Sequence, residues 1–294
     1  LPIPAQAANL GAVEGEVRSK ESGQPIADAI VEAPELGLSA RTDNGGRFAW
    51  RDIRLSEQVV RTKITVSAPG FGDWVIEGVR IVAHDTLLLT VELGERDARI
   101  VVPDAPLQRA QPPLPPDLEP AAGAISLPKT IRVRITGNAH CDTSAPYTVE
   151  TIDFMQYVKN VLPNEWPAGW PGESYRAGAM AVKMYAWYWI ARDGKWDDAD
   201  VFDSTCDQVY IPGVAYQSTN DAVDFTWNWL LTRDGNLISI HYLDTSARCV
   251  DYGWDDCMGQ WDTYWHALGN NGYDKLTWDE MLFRYYQNTR LDPV

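Results

Sequence analysis

The sequence predicts a two-domain protein, an N-terminal all-β sandwich followed by an α+β domain. Three observations predict it. Residues 10–95 carry short apolar runs separated by turn residues, the spacing of a β-sandwich. Residues 103–128 hold eight prolines (Pro103, Pro106, Pro112, Pro113, Pro115, Pro116, Pro120 and Pro128), which make an extended, semi-rigid tether. Beyond residue 129, helical and strand patterns mix without regular βαβ alternation. The expected layout is a disordered start over 1–9, a sandwich over 10–97, a proline-rich linker over 98–128 and the second domain over 129–294.

In the first domain the strand signals are Val13–Val17, Ile30–Ala33, Arg47–Trp50, Ile64–Val66 and Leu87–Val91. Glu21-Ser22-Gly23-Gln24-Pro25, Asp43-Asn44-Gly45-Gly46 and Ala68-Pro69-Gly70 supply turns between them. No constellation there carries chemistry, and a spacer or adhesive role fits it.

The second domain opens on Lys129–Thr136, where Ile131, Val133 and Ile135 alternate as in a half-buried strand. A helix is expected from Thr151, with Phe154, Tyr157, Val158, Val161 and Leu162 on one stripe. A short loop follows, in which Pro163, Pro167 and Pro171 and the rings of Trp166 and Trp170 surround Glu165. A second helix starts near Pro171, with Glu173 in its first turn where negative charge suits the helix dipole. Ala177, Gly178, Ala179, Ala181 and Ala186 keep it thin, and apolar residues cover most of its circumference, so it is expected to be buried. Asp203–Tyr210 read as a loop and Asp221–Phe225 as a short helix. Arg233-Asp234-Gly235-Asn236 marks a hairpin turn, and Thr277 with Glu280 forms a capping box opening the last helix.

A net charge of −16 excludes nucleic acid as a partner and disfavours anionic membranes. No apolar run approaches the roughly 20 residues of a membrane helix. Ala5-Gln6-Ala7 reads as the small-residue end of a secretion signal. Of thirteen tryptophans, all but Trp50 and Trp74 follow residue 160. Such rings stack on sugars and also build cores, so both uses stay open.

Glu165 is the candidate chemical group. A carboxyl among prolines and a tryptophan is partly desolvated, which favours the protonated form a general acid needs. The plain alternative is a loop glutamate paired with a Lys or Arg.

The segment resembles the core of the SpoIID (stage II sporulation protein D) family of cell-wall lytic transglycosylases and related proteins. The matching residues are Tyr157-Val158, Val161-Leu162-Pro163, Glu165-Trp166-Pro167, Trp170-Pro171, Glu173, Ala177, Ala179, Ala181-Val182 and Tyr185-Ala186, then Asp203 with Gln208-Val209-Tyr210. The first domain resembles the carboxypeptidase regulatory-like domain through Gly23-Gln24-Pro25-Ile26, Ala29, Val31, Thr42-Asp43, Gly46, Phe48 and Gly70-Phe71. The SpoIID resemblance implies an extracytoplasmic, secreted or wall-associated protein acting on peptidoglycan glycan strands. It implies Glu165 as the single catalytic acid, with Trp166, Trp170, Ser204, Gln208 and Tyr210 as substrate contacts; neither cofactor nor metal is expected from the residues of this chain. The same family also contains non-catalytic wall binders of the amidase-enhancer type, for which a cell-wall amidase is the partner.

One family motif departs. Where relatives carry a Gly-His-Gly core before Met-Ser-Gln-Trp, this chain reads Asp255-Asp256-Cys257-Met258-Gly259-Gln260-Trp261. Four cysteines, all in the second domain, leave two options. Disulfides Cys141–Cys206 and Cys249–Cys257 suit an exported protein. A zinc site drawing on His140, Cys141, His241, Cys249, Cys257 or His266 is the rival, without a zinc-like Cys-x-x-Cys spacing.

Overall fold

The computed structural model describes residues 9–103 and 125–294. Residues 1–8 of the stretch expected to be disordered, the Ala5-Gln6-Ala7 signal and most of the proline tether lie outside those residues. The chain divides into two compact units, one over Leu1–Val102 with Pro212–Gln217, the other over Pro103–Ile211 with Ser218–Val294.

The first unit is a β-sandwich built from β1 (Leu10–Ser19), β2 (Ile30–Ala33), β3 (Leu38–Arg41), β4 (Arg47–Arg54), β5 (Val59–Ser67), β6 (Trp74–Val82), β7 (Thr86–Leu93) and β8 (Ala98–Val101). One sheet runs β3-β2-β5-β6-β8. The other centres on β1, which pairs antiparallel with β4 and parallel with β7. Alternation does the sorting. Val13, Val17, Leu87, Leu89, Val91 and Leu93 are buried from one sheet, and Val31, Ile64, Val66, Ile76 and Ile81 from the other. The Asp43–Gly46 turn forms as read: Asp43 Oδ1 accepts from the N–H groups of Gly45 (2.8 Å) and Arg47 (2.9 Å).

The boundaries differ from the sequence reading at two points. β8 falls inside the stretch read as linker, because Ala98–Val101 pairs parallel with Trp74–Glu77. The chain also returns to this unit late, with β12 (Val214–Tyr216) pairing antiparallel to β7, Val214 opposite Leu89 and Tyr216 opposite Leu87. The Tyr216 hydroxyl donates to the Arg80 carbonyl at 2.9 Å. Entry to this strand requires glycine: Gly213 has φ +73°, and a Cβ there would sit 2.1 Å from Thr90 O. Three residues are too few for an alternation pattern, so nothing in the sequence announced the strand.

The second unit is α+β. Its elements are β9 (Thr130–Ile135), β10 (Thr148–Asp153), α1 (Phe154–Glu165), α2 (Gly172–Ile190), β11 (Val201–Phe202), α3 (Gln217–Thr226), β13 (Trp229–Arg233), β14 (Asn236–Leu237), β15 (His241–Leu243), α4 (Ser246–Asp251), β16 (Cys257–Gly259), α5 (Gln260–Leu268), α6 (Trp278–Tyr285) and β17 (Arg290–Pro293). β10, β9 and β11 make one small sheet and β14, β13 and β17 another, while β15 and β16 pair in parallel. α2 is the core: Tyr175 through Trp189 are buried apart from Arg176, and α1, α5 and α6 pack around it. The hairpin turns through Asp234 (φ +53°) and Gly235 (φ +77°), and the capping box of Thr277 with Glu280 is present. Glu173 also anchors α6, its Oε2 accepting from the N–H of Trp278 at 2.9 Å.

Inside this core α2 carries one lysine. Lys183 is 1% exposed, and its Nζ donates to the carbonyls of Thr226 (2.7 Å), Trp227 (3.1 Å) and Trp229 (2.6 Å). It therefore satisfies the C-terminal end of α3 and the start of β13, where main-chain oxygens have no helical donor.

Candidate active site

Asp153 caps α1, accepting from Gln156 N at 2.9 Å, so the helix starts three residues later than the sequence indicated. It also runs on through Pro163 to Glu165. Glu165 is thus the last residue of a helix and not part of an open loop, and it is only 2% exposed. Its carboxyl is held at both oxygens. Oε1 accepts from the main-chain N–H of Val209 at 2.8 Å, and Oε2 from the Gln260 side-chain amide at 3.0 Å. The Gln260 amide also donates to the main-chain oxygen of Glu165 at 2.8 Å.

The loop that aims Val209 is fixed by its own buried side chains. Asp203 accepts from Thr136 N (2.8 Å), Thr136 Oγ1 (2.7 Å) and Gly137 N (2.8 Å). Burial raises the Asp203 carboxyl, and those three bonds oppose the rise. Asp207, fully buried, accepts from Tyr185 OH (2.6 Å), Trp196 Nε1 (2.7 Å) and Phe202 N (2.8 Å), and pairs with Lys195. Between them, Cys206 is bonded to Cys141.

Gln260 is placed by the turn from β16 into α5. A Cβ at Gly259 would meet Asp262 Oδ2 at 2.2 Å and Ser246 N at 2.4 Å, so only glycine fits there. Asp262 accepts from Ser246 N and from the Tyr273 hydroxyl, both at 2.8 Å. Burial, with that bond to Asp262, pushes the Tyr273 phenol up to about 12.

Most of the expected sugar contacts lie inside the protein. Trp166 is fully buried: Gly178 faces its indole, and its Nε1 donates to Thr263 Oγ1 at 3.0 Å. Gln208 is fully buried and bonded to Tyr157 OH, Tyr242 OH and Val182 O. Ser204 is 1% exposed, and Tyr210 stacks on Tyr157 with ring centroids 5.3 Å apart. All four side chains are interior, and the polar atoms of Trp166 and Gln208 take protein partners, as buried polar atoms do. Trp170 is different. It stays half-buried at the surface, 4.7 Å from the ring of Trp261 and 5.2 Å from that of Tyr264.

The altered motif has become a pair of clamps. Asp256 takes a two-pronged bond from Arg233 at 2.9 and 2.7 Å. Cys257 is bonded to Cys249. With Cys141–Cys206, all four sulfurs sit in disulfides, which removes the thiolates from the zinc alternative. Among the described residues, no group of three or more His, Cys, Asp or Glu side chains is placed to hold a metal.

Comparison with known proteins agrees with both resemblances and with their order. Residues 12–94 match the carboxypeptidase regulatory-like domain, and residues 143–232 match the stage II sporulation protein (SpoIID) family. The chain is 38% identical over 91 residues to the amidase enhancer of Bacillus subtilis (strain 168), covering 31% of this chain and 12% of that protein. It is 33% identical over 102 residues to an uncharacterized protein of Brachyspira hyodysenteriae, covering 34% of this chain and 27% of that one. The chain therefore spans about a quarter or less of these curated relatives. A solved cohesin–X-dockerin complex from Acetivibrio cellulolyticus aligns over 28% of this chain and 52% of its own at 20% identity, with a TM-score of 0.21. The chain thus carries, in order, a segment matching the carboxypeptidase regulatory-like domain and one matching the SpoIID family. No described helix is long and apolar enough to cross a membrane.

Proposed function

We propose that the second domain is a lytic transglycosylase that cleaves peptidoglycan glycan strands with Glu165. One observation carries this reading. Three separate segments converge on one carboxyl: the Glu165 end of α1 and Val209 of the Gln-Val-Tyr stretch, both inside the SpoIID match, and Gln260 of the altered motif. Structural stability alone does not require three distant motifs to meet at a single acid.

Glycan hydrolases ordinarily use two carboxylates. In the transglycosylase reaction one suffices. Glu165 gives its proton to the glycosidic oxygen as the bond to the anomeric carbon breaks. It then takes the proton of the sugar's own C6 hydroxyl as that oxygen attacks the same carbon, which leaves an anhydro sugar and restores the acid. For this, Oε2 exchanges the Gln260 amide for the glycosidic oxygen, while Val209 N–H keeps Oε1 in place. Two disulfides fit an oxidising, extracytoplasmic setting. The test is Glu165→Gln assayed on purified sacculi. Loss of anhydro-muropeptide release is expected, and undiminished release refutes the assignment.

A second reading is favoured by the 2% exposure of Glu165 and by the amidase-enhancer similarity. In it the domain holds glycan strands without cutting them and stimulates a partner amidase. Sacculus pulldown with no anhydro product, together with a faster amidase in its presence, selects that reading.

A further inference from the structure

Helix α5 is built inside out. Its buried face is polar: Gln260, Asp262, Thr263 and His266 are each 2% exposed or less. Its outer face carries Trp261, Tyr264, Trp265 and Leu268, spaced i, i+3, i+4, i+7, with the three rings half-buried and Leu268 exposed. A surface helix normally turns such a stripe toward the core. Here the order is reversed, and the inner face is committed to holding Glu165, Ser246 N and the Asp274 carbonyl.

The outer rings form one continuous surface. Trp170 lies 4.7 Å from Trp261, Trp261 stacks on Trp265 at 6.2 Å with planes 25° apart, and Tyr264 meets Trp265 at 4.8 Å. No member of this row is charged, in a chain of net charge −16. From Trp261 to Leu268 the row runs about 10 Å along the helix, the length of a short run of sugar rings. A contiguous, partly exposed aromatic row is the kind of surface an interaction site offers.

We infer that Trp170, Trp261, Tyr264, Trp265 and Leu268 form a stacking platform for the apolar faces of an uncharged N-acetylhexosamine strand. This rests on the glycan reading given above. What selects a sugar strand as occupant is the row's tie to the acid-bearing segment: Trp170, on the loop that follows Glu165, packs on Trp261, and Gln260, before Trp261 in the chain, bonds the Glu165 carboxyl from the inner face. The platform accounts for sugar contact where Trp166, Ser204, Gln208 and Tyr210, all buried, do not.

The experiment is calorimetric titration of the full chain with the N-acetylglucosamine tetramer, alongside product release from sacculi. Tyr264→Ala and Trp265→Ala are each expected to weaken tetramer binding roughly tenfold, with the double variant weaker still. Leu268→Glu removes no buried group and adds a charge to the row, so it tests the surface even if a ring variant fails to fold. It is expected to weaken binding by a similar factor. Parent-like binding by folded Trp265→Ala and Leu268→Glu overturns the platform, whatever Glu165 does. So does a parent protein that does not bind the tetramer, or a concentration-dependent dimer that the ring variants abolish. If Glu165→Gln still releases product while the ring variants lose binding, the catalytic assignment falls and the platform stands.

Discussion

The side-chain amide of Gln260 bonds twice to one residue, reaching the main-chain oxygen of Glu165 at 2.8 Å and its carboxyl Oε2 at 3.0 Å. One amide nitrogen thus closes the open C-terminal end of α1 and orients the candidate acid. Gln260→Ala removes both bonds from a buried site, leaving two acceptors without that donor. The expected cost is about 1–3 kcal/mol of stability, read by urea unfolding. Sacculus cleavage is expected to fall at least tenfold under conditions where the variant remains folded. Full activity in Gln260→Ala would remove Gln260 from the site.

Gly178 lies on the face of α2 that meets the Trp166 indole, where a Cβ would sit 2.5 Å from a ring carbon. Two effects compete in Gly178→Ala. Helix propensity favours alanine by about 1 kcal/mol. Overpacking against a fully buried indole costs about 1–3 kcal/mol. The clash is with a ring that Tyr242 and Thr263 hold in place, so it has little room to retreat. A net loss of stability is expected, seen as a lower melting temperature; a more stable variant would show that the indole shifts freely.

The same pair marks how far the sequence could be read. Small and apolar residues along α2 said that it is thin and buried, and the capping box at Thr277 and the Asp234-Gly235 turn fixed element ends through local chemistry. Those rules are local, and they held. Whether a tryptophan beside Glu165 faces a sugar or the core depends on a contact with Thr263, far along the chain. Local composition carries no trace of that. The same holds for Gln208, whose three partners come from three different elements. The platform of α5 was legible in principle, since Trp261, Tyr264, Trp265 and Leu268 have helical spacing. That spacing alone reads as a core-facing stripe, and only the polar residues on the opposite face reverse the sense.

The two disulfides are expected to differ in weight. Cys141–Cys206 closes a stretch with a sequence separation of 65, and Cys249–Cys257 one of 8. Loop-closure entropy gives about 4 kcal/mol for the first and about 2–3 kcal/mol for the second. The longer bridge also adjoins the Asp207–Val209 turn that supplies a donor to Glu165. Cys141→Ser with Cys206→Ser is therefore expected to lower both urea midpoint and cleavage, and Cys249→Ser with Cys257→Ser mainly the midpoint. Equal midpoints in the two double variants would contradict the ranking.

Lys183 supplies a pH signature. Burial pulls its ammonium down to about 7, from about 10.4 in an unfolded chain. The three carbonyls around Nζ use all three protons of an ammonium and oppose that shift. If burial dominates, the unfolded chain binds more protons than the folded one between about pH 7 and pH 10. Stability then rises with pH across that window, being fully gained above the unfolded value and lost as pH falls through the folded one. Lys183→Met removes this contribution and leaves three carbonyls with one donor fewer each. The variant is expected to be less stable by about 1–3 kcal/mol at pH 9. Its unfolding free energy between pH 7 and 10 should also rise less steeply than the parent's. Parallel profiles across that range would mean that the carbonyl cage keeps Lys183 charged throughout.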